Sequence, residues 1–347
     1  MPPNDLDYAD AVRAAAESAL GRYDLAGPVS LEPIRLLNNA VFAVTTGDRE
    51  RFVLRVHRPR CRLDAHSRSE LDFLDSIHEP LGRVGVRVPA PVRAADGALS
   101  VEATLPEIGE SSPRVSCDLL TWVEGQVRRP GTGLGLSGVR RIGRGMGQFH
   151  QISETFVPPE GFRLPTWDAR AMFTEDSPYR PGPFRSLLSR SDRAVFDEVS
   201  EETAAIFESL GGGGEAFGLI HNDFILGNCH LVRARNGWDL GVIDFDDCGW
   251  GHFLYDLAPV MGNFSDYRHF HRLRAAFLDG YRSVRALPVE LEAHLPVLMA
   301  ARHAGHCLWA AGLVHSNGSR GLDTAEHIAY RMREVRRCLA MRPLFEP

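Results

Sequence analysis

The chain has 347 residues, 44% hydrophobic and 24% charged, with a net charge of −6; that balance predicts an ordinary globular protein of two domains or lobes and points away from a nucleic-acid surface. No apolar run reaches the length of a bilayer span, and the start Met1-Pro2-Pro3-Asn4-Asp5 is unlike a signal peptide. All 39 basic residues are arginine, which excludes a Walker A loop, a Schiff-base mechanism and a lysine general base. In chain order, Leu6 to Leu20 has helical spacing and predicts an N-terminal helix. Val29 to Leu37, Ala40 to Thr46 and Phe52 to His57 read as strands, parted by turns at Asn38-Asn39 and Gly47-Asp48. The six cysteines (Cys61, Cys117, Cys229, Cys248, Cys307, Cys338) are scattered with no Cys-x-x-Cys pair, the pattern of reduced thiols in a cytoplasm.

A helix is predicted from Asp64 to about His78, with Glu70, Phe73, Leu74 and Ile77 at i, i+3, i+4 and i+7. Glu70 therefore lies on the core-facing stripe, where a carboxylate requires a cationic partner; Arg68 on its own helix is one candidate. Val86 to Val101 alternates around an Asp96-Gly97 turn and reads as a hairpin, Leu105 to Arg114 as a loop, and Ser116 to Gly125 as a strand running out into glycine. Gly133-x-Gly135-x-x-Gly138 spells a dinucleotide fingerprint but follows Pro130 rather than a strand, so its βαβ context is missing. Val139, Ile142, Met146 and Phe149 share one face of the next helix, which ends at His150, a packing or capping histidine. Glu160 to Phe184 is irregular, the kind of segment that shapes or covers a pocket. Ser189 to Leu210 is a helix.

The densest chemistry lies in Gly218 to Asn228 and Leu240 to Asp247. The first stretch is a short apolar strand ending in His221-x-Asp223, then a tight loop that closes on Asn228. Cys229 to Val232 and Trp238 to Ile243 read as strands around an Asn236-Gly237 turn, a hairpin that returns Asp244 beside the loop. Asn228 and Asp244 are hard oxygen donors of the kind Mg²⁺ takes, which leaves Asp223 to orient a hydroxyl and accept its proton. Asp246 and Asp247 lie on opposite faces, so one of the two can reach a second Mg²⁺. Phe253 to Met261, Tyr267 to Arg282 and the chain from Leu287 read as helices. His303, His306 and Cys307 have metal-like helical spacing, but Ala and Leu surround them and core packing is the expectation.

His221-x-Asp223-x-x-x-x-Asn228, followed by Ile243-Asp244-Phe245-Asp246-Asp247 and Tyr255-Asp256-Leu257-Ala258, resembles the aminoglycoside phosphotransferase / choline kinase-like family, the small-molecule branch of the protein-kinase fold. The likeness follows element order over nearly the whole chain, and its specific motifs lie between residues 218 and 258. It implies an α+β, protein-kinase-like bilobal fold with a β-rich N-lobe over 1–117, a hinge at 118–126 and a helical C-lobe over 127–347. It also implies an ATP- and Mg²⁺-dependent phosphotransferase, with Asp223 as catalytic base, His221 bracing the loop, Asn228 and Asp244 on the metal, and Asp246 as a further metal candidate. Asn38 and Asn39 fall in the loop over the ATP phosphates, and backbone groups of Leu120, Thr121 and Trp122 fall at adenine. Asp256 matches the structural aspartate behind the catalytic loop.

Arg55 stands where the family's phosphate-binding lysine is expected, and the resemblance makes Glu70 its partner; the other reading of Arg55 is a strand arginine facing solvent. A guanidinium stays charged and forks onto phosphate oxygens, but it is longer and flatter than an ammonium. The acceptor is expected to be a hydroxyl of an amino alcohol, aminoglycoside-like antibiotic, sugar or homoserine-type metabolite. Ser/Thr of a peptide and a nucleotide-binding pseudokinase are the alternatives. No nucleic-acid or membrane partner is expected.

Overall fold

The computed structural model describes residues 5–36, 39–57, 63–106, 113–235, 237–317 and 322–345. The expectations that fall on Asn38, Cys61 and Asn236 lie outside the described residues. The chain divides into two compact units: Met1–Asp75, Pro89–Trp122 and Glu160–Arg163 form the first, and Ser76–Val88, Val123–Pro159 and Leu164–Pro347 the second.

In the first unit, helix α1 (Asp5–Leu20) buries Val12, Ala15, Ala16 and Ala19, an apolar stripe at the period its sequence predicts. Strands β1 (Ser30–Leu36), β2 (Asn39–Thr45) and β3 (Arg51–His57) form an antiparallel meander. Helix α2 (Asp64–Arg83), whose residues from Ser76 on fall in the second unit, buries Glu70, Phe73, Leu74 and Ile77, as their spacing predicts. It runs a turn past His78 and carries Pro80 inside it.

The expected Val86 to Val101 hairpin is not formed. Val86–Arg87 (β4) belongs to the second unit, while Pro91–Val92 (β5) and Val101–Thr104 (β6) both pair antiparallel with Arg114–Thr121 (β7). The Asp96-Gly97 turn is real: Ala94 N–H donates to Ala98 O at 2.9 Å and Gly97 has φ 84°. Its two arms diverge onto different stretches of one eight-residue strand instead of pairing with each other. On its other side β7 pairs with β3, which sets Arg55 directly opposite Asp118.

In the second unit, Gln126–Val127 (β8) joins a sheet of order β4-β13-β12-β8, in which Cys229–Ala234 (β12) and Gly237–Val242 (β13) are the expected hairpin. Arg129–Pro130 (β9) and Gly133–Leu134 (β10) make a small parallel pair. Phe217–Ile220 (β11) pairs with Gly249–His252 (β14), a strand the sequence pattern did not reveal. The helices are α3 (Leu136–Ser153), α4 (Ala169–Phe173), α5 (Arg190–Leu210), α6 (Phe253–Asp256), α7 (Ala258–Ser265), α8 (Phe270–Arg282), α9 (Leu295–Asn317) and α10 (Thr324–Leu339). Two glycines that look unfavourable for helices have a packing reason. A Cβ at Gly143 of α3 would lie 2.0 Å from Phe277 O, and one at Gly280 of α8 would lie 2.1 Å from Arg140 O. The two backbones approach too closely for any side chain there. No described helix is long and apolar enough to cross a membrane. The described cysteines are buried, with no disulfide among the described residues.

Candidate active site

In the first unit the β3–β7 register builds a buried charge cluster. Arg55 donates from Nε to Asp118 Oδ1 at 2.8 Å, from Nη2 to Asp118 Oδ2 at 3.1 Å, and from Nη1 to Glu70 Oε1 at 2.7 Å. His57 Nε2 meets the same Asp118. Asp118 and Glu70 are fully buried and Arg55 is 6% exposed. Burial by itself would push the Asp118 carboxyl up, but the Arg55 guanidinium and His57 overturn that and hold it well below the usual carboxylate range. Arg55 is thus a buried residue clamped by two carboxylates, not a solvent-facing strand arginine. Asp118, which sequence reasoning missed, was legible as a lone acid in the apolar run Cys117-Asp118-Leu119-Leu120.

Asn39, at the start of β2, pairs with His57, and both are nearly buried. The amides of Thr121 and Trp122 are already spent: Thr121 N–H donates to Ala90 O at 2.9 Å and Trp122 N–H to Arg51 O at 3.2 Å. Leu120 lies in the β7 ladder opposite Val53 and Pro91. The Thr121 and Trp122 N–H groups expected at adenine are therefore not the ones left for a base. The indole of Trp122 carries the Arg51 guanidinium 3.6 Å from its ring centre, a cation–π contact.

In the second unit the loop of residues 221–228 hangs on Asp256. Its two oxygens accept the backbone N–H groups of His221 at 2.9 Å and Asn222 at 2.7 Å, and His150 Nε2 donates to Asp256 Oδ2 at 3.0 Å. His150 Nδ1 in turn accepts from the Tyr281 hydroxyl at 2.9 Å. Burial works against an ionised Asp256, yet the His150 hydrogen bond and the loop amides hold its carboxyl below the usual range; burial also lowers the His150 pKa, against the pull of Asp256. His150 is more than packing: it orients the carboxylate that fixes the loop.

His221 is fully buried among Phe149, Phe224 and Phe245. Its Nε2 meets Ile243 O at 3.1 Å and its Nδ1 accepts from Asp223 N–H at 3.3 Å. Both ring nitrogens are engaged with backbone, Nε2–H donating to Ile243 O and Nδ1 accepting, and burial lowers its pKa, an arrangement that ties the loop to the neighbouring segment.

Asn222 and Asp244 have φ of 64° and 67°, left-handed conformations that Asn and Asp tolerate better than other side chains. They mark sharp bends in the two segments that converge here, since Ile243 N–H donates to Asn228 O at 3.1 Å. Asn228 Nδ2 donates to Asp223 O at 2.9 Å and to Asp223 Oδ2 at 3.0 Å. That turns Asn228 Oδ1 the other way, and among the described residues no donor reaches it. An amide oxygen so directed, next to the end of β13 and its Asp244, fits a hard divalent cation. Among the described residues no group of three or more His, Cys, Asp and Glu side chains forms a closed metal cage; a cation shared with phosphate oxygens takes one or two protein carboxylates instead.

The residue that sequence reasoning missed here is Arg302 on α9. Its Nη2 pairs with Asp223 Oδ1, and the side chain is buried. Burial disfavours the Arg302 charge, but Asp223, Tyr179, Tyr255 and Asp247 outweigh it and raise its pKa. Asp247 carries the Tyr179 hydroxyl at 3.0 Å on its Oδ2, and burial, then Asp223 and Asp246 acting against Arg302, leave its carboxyl at about 6. Asp246 is half-buried beside it. Tyr179 comes from the irregular Glu160 to Phe184 stretch, whose part from Leu164 on belongs to the second unit.

Residues 30–294 match the model of the phosphotransferase enzyme family. The homoserine kinase of Neisseria meningitidis serogroup B is 28% identical over 292 residues, spanning 81% of this chain and 83% of that protein. Among solved structures, a microcompartment-associated aminopropanol kinase superposes with a TM-score of 0.73 at 26% identity, covering 96% of each chain. The amicoumacin kinase hAmiN, solved in complex with AMP-PNP, Ca²⁺ and Ami, gives a TM-score of 0.71 at 18% identity over 95% of this chain and 94% of that one. The fold is protein-kinase-like.

Proposed function

The chain belongs to the phosphotransferase enzyme family, an enzyme class with a hydroxyl acceptor, and on that premise we propose that it moves the γ-phosphoryl group of ATP to a small amino alcohol or hydroxy amino acid. Asp223 aligns the acceptor hydroxyl and takes its proton on the carboxylate. Asn228 and Asp244 hold the divalent ion, Mg²⁺ in this reading, which when bound neutralises phosphate charge. Arg55, locked by Glu70 and Asp118, supplies positive charge for the phosphate oxygens. Arg302 and Asn228 fix Asp223 from two sides, so the carboxylate costs little to order when the acceptor arrives. Most of the work asked of the protein is positioning and charge neutralisation.

The observation that carries this reading is the Asp223 carboxylate, held by Asn228 Nδ2 at 3.0 Å and by Arg302 on a loop whose amides are tied to Asp256. ADP release, measured with a panel of amino alcohols, hydroxy amino acids and Ser/Thr peptides, tests it. Asp223→Asn is expected to lower turnover on the best acceptor by on the order of 10²–10⁴ with an unchanged circular-dichroism spectrum. A variant that keeps wild-type turnover would remove Asp223 from the chemistry.

A further inference from the structure

Along α9, Arg302, His306 and Trp309 stand at i, i+4 and i+7, one face of the helix leading away from Asp223. Facing it from α10 are His327 and Arg331, and the rings of His306, Trp309 and His327 lie 5.7 to 6.3 Å apart centre to centre. Arg331 is half-buried; its Nε donates to His327 Nε2 at 3.2 Å and its Nη1 meets His303 Nδ1 at 3.2 Å. Among the described residues no carboxylate forms an ion pair with Arg331. Burial and the neighbouring Arg302 depress its pKa, and burial with Arg331 or Arg302 nearby pushes His303 down to about 3 and His306 well below its ordinary value. His306 Nδ1 is buried without a hydrogen-bond partner.

A half-buried guanidinium whose hydrogen bonds go to imidazole nitrogens, with the Tyr330 ring centre 5.4 Å away and no carboxylate in ion-pair contact among the described residues, is costly. It is matched by a planar anion that it can grip with two parallel N–H groups. The same helix carries Arg302, whose own charge is already balanced by Asp223. The cation without a carboxylate in ion-pair contact among the described residues is therefore Arg331, which meets His303, the residue next to the Arg302 that pairs with Asp223.

We propose that this α9–α10 face is the subsite for a carboxylate of the acceptor, gripped by Arg331 with His306 and His327 beside it, so that the preferred substrate is a short hydroxy amino acid and not the amino alcohol lacking the carboxyl group. The inference rests on Asp223 being the point where the acceptor hydroxyl reacts. It runs opposite to what a polycationic acceptor would need, because a second positive charge here would face Arg331.

The test uses matched pairs that differ only in that carboxylate: serine with ethanolamine, threonine with 1-amino-2-propanol, homoserine with 3-amino-1-propanol. The wild-type enzyme is expected to favour the carboxylate member of its best pair by at least roughly 10-fold in kcat/KM. Arg331→Gln should cost roughly 10- to 100-fold on that member, mainly through KM, and less than about twofold on its amino-alcohol twin; Arg331→Lys should restore part of the loss. Equal or better use of the amino alcohols, or an equal loss on both members in Arg331→Gln, overturns the proposal. Calorimetric titration of the same pairs into wild-type protein without nucleotide reads the subsite independently of transfer. Tighter binding of the carboxylate member with no ADP release would refute the role of Asp223 and keep the subsite, whereas equal binding of both members would refute the subsite.

Discussion

Replacing Asp118 by Asn removes the negative charge that holds Arg55 from one side while keeping the shape of the side chain. Asp118 is fully buried and accepts two charge-assisted hydrogen bonds from Arg55, at 2.8 and 3.1 Å, besides the contact from His57. Breaking a buried ion pair costs about 3–5 kcal/mol when it strands a charge. Here Glu70 stays at 2.7 Å as a counter-charge for Arg55, and the amide oxygen keeps one acceptor, so the expected loss is about 2–3 kcal/mol. The pH dependence has a definite sign. The Asp118 carboxyl lies below its unfolded-state value, so its contribution is fully present above about pH 3.9 and falls away as the pH drops below that value, by at most about 1.4 kcal/mol per pH unit. Urea unfolding of wild type and Asp118→Asn, followed by tryptophan fluorescence with Trp122 at the end of β7 as a local reporter, should show a constant gap from pH 7 to pH 5 that narrows by pH 3. A gap below about 0.5 kcal/mol at pH 7, under the 2–3 kcal/mol expected, or one that widens on acidification, would refute the charge-cluster account.

Arg55→Lys replaces a three-point fork by a single ammonium that reaches Asp118 and Glu70 poorly together; thermal unfolding should show a loss of about 1–2 kcal/mol, and calorimetric titration should show weaker binding of an ATP analogue. Gly312→Ala on α9 would set a Cβ 2.0 Å from Tyr179 O, an overlap with backbone whose cost of about 1–3 kcal/mol outweighs the roughly 1 kcal/mol of helix propensity gained. Because Tyr179 also holds Asp247, that variant should lose transfer rate as well as thermal stability, and a variant more stable than wild type would show that the Tyr179 stretch is free to move away from α9.

The parts of the molecule legible in the sequence are those whose partners are near in the chain. The β12–β13 register follows from alternation and a turn of a few residues, so it brings Ile243, and with it Asp244, back to Asn228 without any other element. Glu70 announced itself as an acid on an apolar helical stripe, and a buried carboxylate demands a cation wherever it sits. The Val86 to Val101 hairpin shows the limit: the Asp96-Gly97 turn is local and forms, but strand is confined to Val86–Arg87, Pro91–Val92 and the residues from Val101, and their partners, β13 for the first and β7 for the other two, lie farther along the chain.

The sequence by itself determined the loop bearing Asp223 and the hairpin end bearing Asp244, because hydrophobic period and motif spacing are local quantities; the protein-kinase-like class of the fold came through the family resemblance that those motifs carry. Only the tertiary structure decided that Asp118 clamps Arg55 across 63 residues and that Arg302 pairs with Asp223 across 79. The electrostatics of a buried charge are set by whatever the fold packs against it, and a partner that distant in sequence leaves no periodic trace.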